Sequence, residues 1–176
     1  MSGGPSAPLK RLAFRTFGAL PEPVRRGVIR TIRPSWTAGA VAIIERDDGR
    51  WLFVKPIYRK GWTLPGGLID NGEHPSVTIV REMGEEIGVS VTIVGEPWTI
   101  LDPNFNRVEV VYRVVLDPAV DPDEIVVTTA ELSDLGWYDP ADPPPIEDET
   151  TDVLALAKVV AAGGSTVRIR GDVNSA

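Results

Sequence analysis

Glu82, Glu85 and Glu86 place three carboxylates within five consecutive positions, directly after Arg81. They belong to a longer run, Gly67 to Val89, that reads G-L-I-D-N-G-E-H-P-S-V-T-I-V-R-E-M-G-E-E-I-G-V. Its pattern is G-x5-E-x7-R-E-U-x-E-E-x-G-U, with U apolar. Like charges at i,i+3 and i,i+4 of a helix repel by a few tenths of a kcal/mol per pair, and surface helices usually relieve this with lysine. No lysine occurs between Gly61 and Val89. The cluster therefore calls for an external cation. Hard divalent ions such as Mg²⁺ or Mn²⁺ take oxygen ligands and are commonly held by a few carboxylates plus substrate phosphates. Glu82, Glu85 and Glu86 are the candidate metal ligands, and Arg81 is a candidate catalytic-site residue that reaches Glu85 and orients it.

Other chemistries are narrowed by inventory. The chain has no cysteine, so thiol nucleophiles, thiolate zinc sites and disulfides are absent. The single histidine, His74, would have to serve as the base of any serine triad, and Ser76, two residues on at a helix start, is expected not to face it. Acid and base work falls to carboxylates acting with a metal ion.

The elements that must position these groups follow from spacing. A Gly-containing turn, Asp70-Asn71-Gly72, precedes Glu73 and His74, and Pro75 suits the first position of a helix running to Ile87 and stopping at Gly88. The spacing predicts an apolar face of Val77, Val80, Gly84 and Ile87, with the glutamates nearly opposite and Gly84 close to a sheet. Gly66-Gly67 leave backbone accessible, because adjacent glycines carry no side chains to block it. Apolar, branched runs predict strands at Trp36–Ile44, Trp51–Lys55, Val89–Val94, Trp98–Leu101, Arg107–Leu116, Ile125–Thr129 and Leu135–Tyr138. The first two read as a hairpin through Asp48-Gly49. A last helix begins with Asp148, Glu149 and Asp152, carries Val153, Leu156, Ala157 and Val160 on one face, and stops at Gly163-Gly164.

The Gly67–Val89 pattern resembles the Nudix box, the signature of hydrolases that split a pyrophosphate linking a nucleoside to another moiety. The resemblance extends from about Trp36 to Gly163, and includes Gly61 to Gly67 and an E-x5-W segment, Glu131 to Trp137. It implies an α/β/α sandwich with a mixed sheet between helices, here with an added N-terminal helical arm. It also implies Mg²⁺ or Mn²⁺ as cofactor, a backbone carbonyl of Gly66 or Gly67 as a metal ligand, and Glu82 and Glu86 as catalytic residues. The general base of such enzymes is a box glutamate or one supplied from outside; Glu131 is the outside candidate and Glu109 the second. For the substrate, Arg59 and Lys60 are candidates for gripping phosphates and Tyr58, Trp62 and Phe105 for stacking a base. The alternative reading is a catalytically silent Nudix-like module that binds a nucleotide or a partner.

At 176 residues with 43% hydrophobic and 24% charged residues, the chain suits one globular domain, expected over 35–165. A flexible start (1–8), a basic amphipathic arm (9–34) and a C-terminal tail (166–176) flank it. The formal charge of −7 hides an asymmetry. Through Pro34 there are seven Lys and Arg against one acidic residue, and beyond it eleven against twenty-four. The acidic body argues against nucleic acid as a partner, since that binding relies on Lys and Arg at phosphates. Two short helices expected at Lys10–Leu20 and Pro23–Ile32 would dock on the domain, pair two copies into a homodimer, or sit on an anionic membrane. Without an uncharged leader or an apolar span, no stable membrane insertion is expected, and the cytoplasm is the expected location.

Overall fold

The computed structural model describes residues 15–25, 27 and 35–170. The chain divides into two units, Met1–Ser35 and Trp36–Ala176. In the first, residues 15–19 and 22–25 are helical, and the Pro21 carbonyl accepts from the backbone N–H groups of Val24 and Arg25. The remainder of the two expected arm helices lies outside the described residues.

The second unit contains β1 (Thr37–Ile44), β2 (Trp51–Pro56), β3 (Gly66–Leu68), α1 (Pro75–Ile87), β4 (Val91–Asp102), β5 (Arg107–Leu116), β6 (Leu132–Tyr138), α2 (Asp148–Ala161) and β7 (Val167–Ile169). Five strands form a mixed sheet in the order β3-β1-β5-β4-β7, in which β1 and β5 run parallel. A separate antiparallel pair joins β2 to β6. Successive strand residues point to opposite faces, and β1 is apolar on both. Ala40, Ala42 and Ile44 join Ile79, Met83 and Ile87 of α1 in one core. Ile43 and the adjoining Val41 face the other core, with Val153, Leu154 and Leu156 of α2. β2 splits likewise, with Leu52 and Val54 on the α1 side and Trp51 and Phe53 on the α2 side. The expected α/β/α arrangement holds.

Several elements differ from the sequence expectation. Arg46 and Arg50 close the Asp48-Gly49 turn, and Glu45 bridges Trp51, but β1 and β2 then part into different sheets. β1 pairs with β3 and β5 and β2 pairs with β6, so the hairpin is only a tip. The two strands expected at 89–94 and 98–101 are one strand, β4, whose register shifts between Val94 and Trp98, where Gly95 has φ 71°. The Ile125–Thr129 run is no strand. Its Thr128 instead bonds the end of α1, its N–H to the Glu86 carbonyl (2.9 Å) and its hydroxyl to the Glu85 carbonyl (2.7 Å). Part of the expected tail forms β7, which pairs with β4 and is clasped through Arg170 to Asp102, Asp148 and Asp152.

The box helix also presents a different face. Thr78, Ile79, Met83 and Ile87 are buried, whereas Val77 and Val80 are 54% and 49% exposed and Gly84 faces open space. The stripe of Ile79, Met83 and Ile87, at i,i+4 steps, carries the burial. Glu82 and Glu86 sit on its border, not opposite it, and that border position brings them under cover of the sheet.

Candidate active site

Both ends of α1 are defined by local chemistry. His74 is the N-cap: its Nδ1 accepts from the Ser76 N–H (3.3 Å) and lies 2.7 Å from Ser76 Oγ. The sequence reading that these two side chains could not meet is therefore corrected, because the extended cap backbone folds the ring over the first turn. Gly88 ends the helix in the left-handed conformation, at φ 68°, with its N–H on the Met83 carbonyl.

Arg81 organises the box. Its guanidinium donates to both oxygens of Glu73 (3.1 Å each), to Glu82 Oε1 (2.7 Å) and to Glu85 Oε2 (3.2 Å). The sequence suggested only the Glu85 contact. Glu73 also accepts from the Thr78 hydroxyl, and these two donors bring its carboxyl down to about 2. Glu73 thus stays ionised and holds Arg81, which in turn holds Glu82.

Gly66 and Gly67 are distinguished by β-sheet register. Pro65 and Ile69 lie at hydrogen-bonded positions of the β3–β1 ladder, through Ala42 N–H and Ala38 C=O. Alternation places Gly67 in the same class and turns the N–H and C=O of Gly66 away from β1. The Gly66 N–H indeed donates to Glu86 Oε2 at 2.9 Å. Gly66 has φ 143°, and a Cβ there would stand 2.2 Å from the Ala40 carbonyl oxygen. A Cβ on Gly67 would stand 2.2 Å from Glu82 Oε1. The two glycines make room for β1 backbone and for a box carboxylate.

Glu82 and Glu86 each commit one oxygen to the protein, Oε1 to Arg81 and Oε2 to Gly66. Among the described residues no fully buried side-chain oxygen lacks a partner, so the second oxygen of each is open to the cleft. Burial raises the Glu82 carboxyl, with Glu85 and Glu131 adding and Arg81 opposing. Burial likewise pushes Glu86 up to about 8, the Gly66 N–H opposing and Glu82, Glu131 and Glu85 adding. Glu85 is different: its side chain is 62% exposed and stands outside the cleft lining. No three Asp, Glu or His side chains among the described residues converge closely enough to enclose an ion by themselves. A cation such as Mg²⁺ does not require such an enclosure, since it takes one or two carboxylates and keeps waters and substrate phosphates. The half-satisfied carboxylates and the outward Gly66 carbonyl fit such an ion.

The cleft holds about 370 Å³ and extends from the box to a second charged wall. Arg59, Arg107 and Glu109 line that wall. Glu149, at the start of α2, pairs with Arg59 at 2.8 Å and also with Arg107, which pairs in turn with Glu109. Burial raises the Glu109 carboxyl against the pull of Arg107. Burial also works to raise Glu149, but Arg107 and Arg59 outweigh it and hold that carboxyl low.

Among the sequence candidates, Gly66, Gly67, Arg81, Glu82, Glu86, Glu131, Tyr58, Arg59 and Glu109 all line the cleft. Lys60, Trp62 and Phe105 do not. Trp62 packs edge-on to Tyr138, 5.2 Å between centroids, in the α2-side core. Phe105 is 74% exposed on the β4–β5 turn. Arg107 was missed as a site residue because it reads as the first residue of a strand. The usable signal was its i,i+2 relation to Glu109, which puts both on one face.

A model of the NUDIX domain matches residues 36–159. A MutT-like protein of Streptomyces ambofaciens is 25% identical over 142 residues, covering 80% of this chain and 86% of that one. An ADP-ribose pyrophosphatase of Mycobacterium tuberculosis is 31% identical over 142 residues, covering 73% of this chain and 66% of that one. The crystal structure of a NUDIX hydrolase from Nitrosomonas europaea superposes with a TM-score of 0.63 at 21% identity, covering 78% and 80% of the two chains.

Proposed function

Because this chain belongs to the Nudix family of pyrophosphate-bond hydrolases, we propose that it is a Mg²⁺- or Mn²⁺-dependent enzyme cleaving a nucleoside diphosphate linked to another moiety. The observation that carries the reading is the pair Glu82 and Glu86, each anchored by one oxygen and open by the other, beside the outward backbone of Gly66. Glu82, Glu86 and the Gly66 carbonyl would hold the ion, with Glu85 at the rim as the third carboxylate. When bound, the ion supplies positive charge opposite the phosphate oxygens, where negative charge grows as the bond breaks. Arg81 and Glu73 keep the Glu82 rotamer in place before substrate arrives. The test is a screen of nucleoside diphosphate derivatives with Mg²⁺ or Mn²⁺, following phosphate released after coupling to a phosphatase. Failure to hydrolyse any of them would leave the metal site without this chemistry.

Glu131 is proposed as the base that takes a proton from the attacking water. It lines the cleft, and its charge is felt by both Glu82 and Glu86, whereas Glu109 is engaged by Arg107. Glu131→Gln is expected to lower kcat by about 10²-fold or more while leaving KM and Mg²⁺ affinity nearly unchanged. A kcat–pH profile beside a metal titration checks this. Wild-type kcat with its acidic limb intact would place the base inside the box.

Metal binding should depend on pH through Glu86. Its metal-free carboxyl, raised from 4.5 to about 8, is mostly protonated at neutral pH, so an ion must displace that proton. Mg²⁺ affinity is expected to rise by about tenfold per pH unit until near pH 8 and then level off. Without metal the sign for stability is opposite. The folded chain holds the proton that the unfolded chain releases above 4.5, so this contribution is complete below that value and is lost as pH rises through about 8. Melting curves in EDTA and in Mg²⁺ across pH 5 to 9 should diverge as pH rises.

A further inference from the structure

The wall opposite the box has a composition that the hydrolytic reading leaves unused. Arg59 and Arg107 face the cleft but are not free cations, since Glu149 holds both from behind and Glu109 holds Arg107. Two guanidiniums against two carboxylates make the wall formally neutral. Such a wall offers little attraction to a further phosphate, which is best met by uncompensated arginine donors. It offers instead an alternation of fixed donors and acceptors. Glu109 is 4% exposed and accepts from Arg107 through Oε1 alone. No fully buried side-chain oxygen of the described residues is unpartnered, so Glu109 Oε2 opens to the cleft as an acceptor. The guanidinium forks carry five N–H donors each, more than these contacts use. Gly39 lies on the floor between the two walls, where an added Cβ would stand 3.5 Å from the Gly67 carbonyl oxygen and 4.0 Å from Glu109 Cγ.

An acceptor carboxylate beside fixed guanidinium donors matches a sugar diol, whose hydroxyls donate to one and accept from the other; carboxylate recognition of ribose hydroxyls is a general solution to this problem. We infer that Glu109 and Arg107 are specificity-determining residues that bind a vicinal diol of the substrate, selecting diphosphates that carry a neutral sugar over nucleoside triphosphates. This rests on the hydrolytic reading of the same cleft. The diol that separates these substrates belongs to the sugar of the linked moiety, because a nucleoside triphosphate carries the nucleoside's ribose as well.

The experiment measures kcat/KM for ADP-ribose, its 2′-deoxyadenosine analogue, ADP methyl ester and ATP, with wild type and Glu109→Gln. Wild type should prefer ADP-ribose to ATP by at least about 10²-fold, a comparison that needs no variant; equal or better hydrolysis of ATP overturns the inference. Glu109→Gln should reduce the ratio of ADP-ribose to ADP methyl ester by roughly 10- to 100-fold if the linked sugar is read. A loss confined to the ratio of ADP-ribose to the deoxy analogue would place Glu109 on the nucleoside's ribose, which a triphosphate shares, and would overturn the inference. Unchanged ratios, with all substrates slowed alike or none slowed, give Glu109 a structural role and overturn it. If wild type hydrolyses none of the diphosphates, the hydrolytic reading fails; binding of ADP-ribose but not ATP by calorimetry would still support the diol site, and no preference would remove it.

Discussion

Glu82→Gln and Glu86→Gln are each expected to lower kcat by about 10²- to 10³-fold, the scale seen when a preorganised charge-stabilising group is removed. Both changes keep side-chain volume and remove a negative charge from a half-buried position. Folding should survive, because Glu82 and Glu86 are raised by burial and are already costly to ionise in the metal-free protein. Glu86→Gln should leave the metal-free protein at least as stable at pH 8 as wild type, since the amide no longer titrates there. In both variants the amide can keep its anchor by presenting its oxygen, to the Arg81 guanidinium in Glu82→Gln and to the Gly66 N–H in Glu86→Gln, because both anchors are donors. Steady-state kinetics with circular dichroism and a Mg²⁺ titration check these outcomes. Near-normal turnover in both variants with unchanged spectra would remove the metal-site assignment.

Gly66→Ala and Gly67→Ala are expected to fail in different ways, and the contrast tests the geometry of the turn. A methyl on Gly66 meets β1 backbone, at 2.2 Å from the Ala40 oxygen and 2.7 Å from Val41 Cα, at a φ of 143° that side chains rarely adopt. Backbone cannot step aside as a rotamer can, so Gly66→Ala should cost on the order of 3 kcal/mol or more of stability. At this chain length that lowers Tm by roughly 6 to 12 °C. A methyl on Gly67 meets the Glu82 carboxylate, the mobile end of a long side chain. Gly67→Ala should therefore fold with a smaller loss of stability, yet turn over poorly, because Glu82 is pushed from the position Arg81 gives it. Thermal melts beside kinetics separate the cases. Equal melting temperatures for the two variants would contradict the assigned roles.

The sequence was most informative where a short-range rule sufficed. The box pattern, the start of α1 at Pro75 and its stop at Gly88, the span of β5 and the acidic first turn of α2 all follow from residue type and spacing within one element. It misled where burial depends on what packs from outside. Val77 and Val80 look like core by spacing and lie in solvent, because the sheet covers the Ile79–Met83–Ile87 side. The apolar run at 125–129 looks like a strand and serves as a cap on α1. The separation of β1 from β2 could not be read locally, since turn chemistry specifies the tip and not the partners beyond it.

The candidate site divides along the same line. Sequence alone determined that three glutamates and an arginine share one helical segment beside a glycine pair, the pattern by which the chain resembles its family. Tertiary structure decided which of them face the cleft, because only the sheet's cover buries Glu82 and Glu86 and leaves Glu85 in solvent. It decided for Gly66 over Gly67 as the outward carbonyl through the register of β3 on β1, a property of two strands and of neither by itself. It also brought Glu131 to the box and Arg59, Arg107, Glu109 and Glu149 into one wall, across separations of up to ninety residues. Contacts at that separation depend on how two cores close on opposite faces of a sheet, which no local pattern encodes.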